Sequence, residues 1–219
     1  MNLYPRNILP QKEVKKFVVI FYTVGLLGFI IPFSRDFFIK ITPLALLISS
    51  YLLFTYHNNI SKKDVAAFML VFVLGFLIEA AGVNTGQIFG HYSYGSTLGP
   101  ALWGTPLLIG LNWLFLAYSS LVVAEKISHK AILQIAIAPT LMLIYDLVLE
   151  QVAPILDMWT WQDASVPLKN YIAWWCIGLA FTGFLKISKT DTSNPLALIL
   201  LVCQFAFFLL LFLVFNLLL

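Results

Sequence analysis

The chain has 219 residues, of which 61% are hydrophobic, 16% aromatic and 11% charged, with a net charge of +3 and a mean hydropathy of +0.92. Soluble domains carry about 25% charged and about 45–50% apolar residues, so a water-exposed globule is excluded, and a chain with so little polar sequence is not disordered. The small positive charge sits in short loops rather than on one stripe, which disfavours nucleic acid as a partner; an all-α polytopic membrane protein remains.

A spanning helix needs roughly 20 mostly apolar residues. In chain order the apolar runs predict seven transmembrane helices, over 17–33, 38–56, 65–83, 101–124, 131–150, 168–186 and 195–219. Short polar breaks separate them, and segment 84–100 is an alternative that dips back into the bilayer. The period-two alternation of a membrane barrel is absent. With the N-terminus inside, the inner segments hold Arg6, Lys12, Lys15, Lys16, Lys62, Lys63, Lys126, Lys130, Lys186 and Lys189. The outer segments then hold only Arg35, Lys40 and Lys169. This bias predicts N-in and C-out topology. The first apolar run starts after Lys16 without a clear cleavage site, and is expected to be a span rather than a signal peptide. No linker divides the chain, so 1–219 is expected to form one transmembrane domain in the cell (inner) membrane. Cys176 and Cys203 are expected to be small core residues. His57 and His129, on the inner side, are expected to be solvated.

Three acids fall inside spans: Glu79 near the end of the third, and Asp146 and Glu150 near the end of the fifth. An ionisable group costs at least ~2.5–3.5 kcal/mol at the bilayer centre, so it faces protein or a cavity and is a functional candidate by default. Asp146 and Glu150, four residues apart, share one helix face. The third and fifth spans run the same way, so all three acids lie at similar depth under the loops 84–100 and 151–167. Those loops supply Phe89, His91, Tyr92 and Tyr94, and Trp159 and Trp161. The helices that follow supply Asn112 and Trp113, and Asn170, Trp174 and Trp175. Plainer readings stand beside these: an interfacial belt for the tryptophans and tyrosines, interhelical hydrogen bonding for Asn112, a helix contact for Glu79, and simple exposure for His91. A parallel likeness also links the third span, its loop and the fourth to the fifth span, its loop and the sixth.

Several membrane chemistries lack their residues. Three scattered histidines cannot hold a di-iron centre, and no acid-rich pair of motifs is present to bind Mg²⁺ and a diphosphate. No span has a mid-membrane lysine for a Schiff base, and no phosphate-binding glycine motif occurs. No metal and no cofactor are expected. Carboxylic acids, amides and aromatics remain. A desolvated carboxyl group held neutral can donate a proton, and aromatic faces stabilise a nearby cation by ~0.5–2 kcal/mol. That set suits protonation of an alkene followed by capture of the carbocation, and it also suits proton-coupled transport.

Two stretches carry a family likeness: IEAAGVNTGQIFGHYSYGSTLGPALWGTPLLIGLNW, Ile78 to Trp113, and YDLVLEQVAPILDMWTWQDASVPLKNYIAWW, Tyr145 to Trp175. They resemble the integral-membrane carotenoid biosynthesis proteins that include carotenoid 1,2-hydratases and bisanhydrobacterioruberin hydratase. The likeness covers roughly positions 65–185. It departs at Gln151, where proline is expected, and at Asp157-Met158, where a glycine is commoner. It implies addition of water across the terminal C1–C2 double bond of an acyclic ψ-end group, giving a C1 tertiary alcohol. The implied partners are an acyclic carotenoid, the lipid bilayer and other carotenoid enzymes. Membrane lycopene cyclases, which begin with the same protonation, are distantly similar.

The expected mechanism has Asp146, or failing that Glu79, protonate C2. Tyr92, Tyr94 and Trp113 line the cation, and Glu150 with Asn170 positions a water. Phe89, His91, Asn112, Trp159, Trp161 and Trp174 complete the expected substrate-binding set. A lycopene-type cyclase, a proton-coupled transporter and a structural or assembly protein are the competing classes.

Overall fold

The computed structural model describes residues 9–218, with side chains to 216; Arg6, counted among the inner cations, lies outside them. Seven α-helices occur among the described residues: α1 Gln11–Ile30, α2 Pro32–Thr55, α3 Lys62–Thr85, α4 Leu108–Ile127, α5 Ala131–Val152, α6 Leu168–Ile187 and α7 Ala197–Leu213, the last running into a π-helical turn, Val214–Leu218. They correspond to the seven predicted stretches. Five of them, α2 to α5 and the helix from Ala197 to Asn216, are long and apolar enough to cross a bilayer. α1 opens on Lys12, Glu13, Lys15 and Lys16, and α6 carries Asn170, Tyr171, Trp174 and Trp175. The chain is an all-α membrane protein. In hydrocarbon each backbone must satisfy its own hydrogen bonds, and helices do so within one segment.

α4 is the central helix, buried on nearly every side and packed against α2, α3, α5, α6 and α7. α1 pairs with α2 and α7, while α2 shows most of its surface outward. Local chemistry sets the ends. Ser61 caps α3 by accepting from the Asp64 amide at 3.2 Å, while the Asp64 carboxylate accepts from the Ser61 amide at 2.8 Å, a reciprocal capping box. Pro32 starts α2 immediately after α1, where its missing N–H is no loss.

The fourth helix starts later than the hydropathy predicts. Residues 101–107 are apolar, yet Ala101–Leu102 (β2) and Thr105–Pro106 (β3) form a small hairpin instead. Its two turn residues, Trp103 (φ 53°) and Gly104 (φ 73°), both lie in the left-handed region, the geometry of the tightest hairpin turns. Segment 84–100 continues α3 as far as Thr85 and then runs as a loop. Its strand Tyr92–Tyr94 (β1) pairs antiparallel with Trp159–Trp161 (β4) of the loop after α5, in the register Tyr92↔Trp161, Ser93↔Thr160, Tyr94↔Trp159. The two loops thus form one cap over the end where α3 and α5 finish and α4 and α6 begin.

The opposite end corrects one expectation. His57 is buried rather than solvated: its Nδ1 lies 2.7 Å from the Tyr118 hydroxyl, which donates to the Asp191 carbonyl at 3.2 Å. Burial holds the His57 imidazole below its usual range, against the opposing pull of Asp64 and Asp191. Nearby, Lys186 pairs with Glu125. His129 is exposed, as expected. Cys176 lies on the exposed side of α6 and Cys203 is half-buried, so the first is not a core residue; neither forms a disulfide.

Candidate active site

The three acids gather beneath the cap, and each is almost sealed from solvent: Asp146 is 0%, Glu79 4% and Glu150 4% exposed. Glu79 projects from the last turns of α3. Its Oε2 accepts from the Tyr92 hydroxyl at 2.5 Å and the Tyr94 hydroxyl at 2.8 Å. Its Oε1 accepts from the Trp113 indole at 2.9 Å. Burial, and then the neighbouring Glu79 carboxyl, hold the Tyr92 and Tyr94 phenols far above their usual range. Both hydroxyls therefore keep their protons.

Glu150, in the last turn of α5, is held from the other strand of the cap. Its Oε2 accepts from the Trp161 indole at 2.7 Å and from that of Trp159 at 3.0 Å. Asn170, in the first turn of α6, joins the two acids of α5. Its amide nitrogen is 3.0 Å from Asp146 Oδ2 and 3.3 Å from Glu150 Oε1. Asp146 Oδ1 has no hydrogen-bond partner among the described residues. The Glu79 and Glu150 groups meet through their donors: Tyr92 packs on Trp161 with ring centroids 5.1 Å apart, and Tyr94 on Trp159 at 6.1 Å. Below them Trp113 stacks on Trp174 at 4.2 Å.

Strand geometry explains the selection. Side chains alternate along a strand, so Tyr92 and Tyr94 point down to the acids while Ser93 faces outward. Trp159 and Trp161 point down while Thr160 faces outward. The cap is latched at its edge. Asp157 accepts from the Ser96 hydroxyl at 2.6 Å and the Ser96 amide at 2.9 Å, and these bonds hold its carboxyl below the usual range. A Cβ at Gly95 would sit 2.2 Å from the Asp157 carbonyl oxygen, so only glycine allows this approach. Asp157 has φ 52°, a conformation that glycine adopts at least cost and that aspartate tolerates. The chain departs from its expected family pattern at a left-handed position.

Of the thirteen expected site residues, ten join one connected cluster: Glu79, Asp146, Glu150, Tyr92, Tyr94, Trp113, Trp159, Trp161, Asn170 and Trp174. Phe89 is a second layer, buried behind Tyr92 with no bond to an acid. His91 stands apart. It is exposed, outside the cluster, with its ring lying over Gly86. Asn112 is one residue from Trp113 and so faces a different side of α4. There it lines an apolar cavity of about 340 Å³ between α1, α2, α4, α5 and α7. None of the three acids lines that cavity, whereas Trp159 belongs to both places: its ring is part of the cavity wall and its indole N–H bonds Glu150. Trp175 points away from the cluster, to Thr140 at 3.2 Å.

A second polar cluster, not expected from the sequence, joins α1, α2, α5 and α7. The Tyr22 hydroxyl is 2.9 Å from Ser49 Oγ and 3.2 Å from Gln204 Oε1, and the Gln204 amide donates to the Tyr145 hydroxyl at 2.7 Å. A lone glutamine inside the most apolar helix was its signal. Among the described residues no group of histidine, cysteine and acids forms a metal-binding set.

A helical membrane bundle with a sealed acid cluster beneath an aromatic cap defines the class of protein. The chain belongs to the carotenoid biosynthesis protein family, whose match spans residues 39–219 and so includes every residue of that cluster. No curated protein and no solved structure matches the chain.

Proposed function

We propose that the protein hydrates the acyclic end group of a carotenoid, adding water across its C1–C2 double bond. The observation that carries this reading is the asymmetry of hydrogen bonding among the three acids. Every partner of Glu150 is an N–H donor, an arrangement suited to a carboxylate that accepts a proton. Glu79 receives one indole and two phenol donors. Asp146 alone keeps a bare oxygen, Oδ1, and is the group to carry a transferable proton.

In this mechanism Asp146 gives its proton to C2, and the C1–C2 π electrons form the new C–H bond. The tertiary cation left at C1 lies among the rings of Trp113, Trp159, Trp161, Tyr92 and Tyr94, whose faces stabilise it. Water bonds to C1 and loses a proton to Glu150. Proton transfer between Glu150 and Asp146, which Asn170 holds together, resets the site. The net change is alkene plus water to alcohol, and this chemistry needs no redox step. The end group reaches the acids past the ring of Trp159, the residue shared with the cavity.

Dryness favours one second reading. With the acids at most 4% exposed, an internal double bond competes with water for the cation, and its capture closes a ring. Expression in a host that accumulates lycopene distinguishes the outcomes by chromatography and mass. Hydration gives a more polar product heavier by one water, and cyclisation gives an isomer. Unchanged lycopene refutes both.

A further inference from the structure

The cavity between α1, α2, α4, α5 and α7 is almost wholly apolar, and at about 340 Å³ it falls within the usual size range of ligand pockets, roughly 300–1,000 Å³. Val24 on α1 and Leu44 on α2 both line it and are 51% and 52% exposed. The cavity therefore reaches the outer flank of the bundle between these two helices. In a membrane protein that flank faces lipid. Pro43, also in the lining, sits inside α2, where it removes a backbone donor and loosens the helix.

Six side chains with strong polar groups line the cavity: Tyr22, Thr42, Asn112, Tyr145, Trp159 and Gln204. Five are engaged within the protein. The Tyr22 hydroxyl donates to Gln204, the Gln204 amide donates to the Tyr145 hydroxyl, Thr42 donates to the Phe38 carbonyl at 3.1 Å, and Trp159 donates to Glu150. Asn112 is 8% exposed and has no hydrogen-bond partner among the described residues. An amide that opens into a cavity with an otherwise apolar wall favours a ligand that supplies its hydrogen-bond partner.

We propose that this cavity binds the polyene through the bilayer-facing gap between α1 and α2, and that the Asn112 amide hydrogen-bonds an oxygen function carried near the end of that polyene. The class of ligand rests on the carotenoid reading; the binding does not rest on the hydration step. Asn112 shares the cavity wall with Trp159, whose indole bonds Glu150, so the oxygen it holds lies in the space from which the end group approaches the acids. The cavity thereby prefers a hydroxylated polyene to the matching hydrocarbon. A product alcohol and a substrate already oxygenated near its end meet the same requirement.

The test is equilibrium binding to the detergent-solubilised full chain, followed by quenching of tryptophan emission. The probes are lycopene and its C1 alcohol, in an Asp146→Asn background so that neither turns over. The alcohol is expected to bind more tightly. Adding Asn112→Leu, of similar volume, is expected to weaken the alcohol about three- to tenfold while lycopene binds at least as tightly as before, which also reports that the variant is folded. Adding Ala45→Phe, which fills the cavity, is expected to weaken both ligands. Equal affinities in the Asn112 parent, or an alcohol preference that survives Asn112→Leu, overturns the role of Asn112. Undiminished binding in the Ala45→Phe variant overturns the cavity as the site. If the wild-type chain forms no hydrated product while this binding pattern holds, the hydration reading fails alone.

Discussion

Asp146→Asn separates the chemistry of the site from its architecture. The aspartate makes one hydrogen bond, accepting from Asn170 at 3.0 Å through Oδ2, and its other oxygen is bare. An asparagine keeps the acceptor oxygen and places its amide nitrogen where Oδ1 stood. No partner is lost, because none was there. The expected change in stability is therefore within about 1 kcal/mol, the size of one net hydrogen bond. The expected change in rate is much larger. A positioned general acid contributes about 10²–10⁴-fold, or about 3–5 kcal/mol of barrier at ~1.36 kcal/mol per decade. The assay follows conversion of an acyclic carotenoid by purified protein, with thermal unfolding of the same preparation as control. A rate within about threefold of wild type refutes the assignment of Asp146 as proton donor. Loss of activity together with a large loss of stability refutes the claim that its second oxygen is free of structural work.

Glu150→Gln should lower stability as well as rate, because the same carboxylate anchors the cap and takes the proton from water. Its Oε2 accepts from two indoles at 2.7 and 3.0 Å, and neutralising the acceptor weakens each bond from about 1.5–3 to about 0.5–1.5 kcal/mol. A stability loss of about 2–3 kcal/mol is expected in chemical denaturation, with Glu150→Ala losing more. Gly95→Ala, which forces a Cβ into the Asp157 carbonyl at 2.2 Å, should detach the edge of the cap and speed proteolysis between α5 and α6. The Asp157 carboxyl is held below its usual range by Ser96, so the ionised form is the one the fold favours. Its stabilisation is present above the ordinary aspartate value of about 3.9 and is lost as pH falls through the lowered one. Melting of wild type against Asp157→Ala should converge on acidification through that window, and a constant difference would contradict the latch.

The membrane class, the helices and the three acids were legible in the sequence because each depends on local composition. A run of twenty apolar residues must be satisfied within itself, and a carboxyl group inside one stands out wherever the run packs. The convergence of Glu79 with Asp146 and Glu150 was also legible, since two helices running the same way end at the same level. Asp146 and Glu150, one turn apart, could only share a face.

What each acid touches was decided in three dimensions. Tyr92 and Trp161 are 69 positions apart in the chain, and only the β1–β4 register places both rings between Glu79 and Glu150. A shift of one residue would turn His91 and Ser93 inward and send the tyrosines out, because a strand changes face at every residue. The apolar run 101–107 bends into a hairpin because two left-handed turn residues follow β2, a backbone choice that hydropathy does not register. The separation of the cavity from the acids likewise follows from packing. Asn112 and Trp113 are neighbours in sequence, yet the roughly 100° step of a helix sends one to the cavity and the other to Glu79.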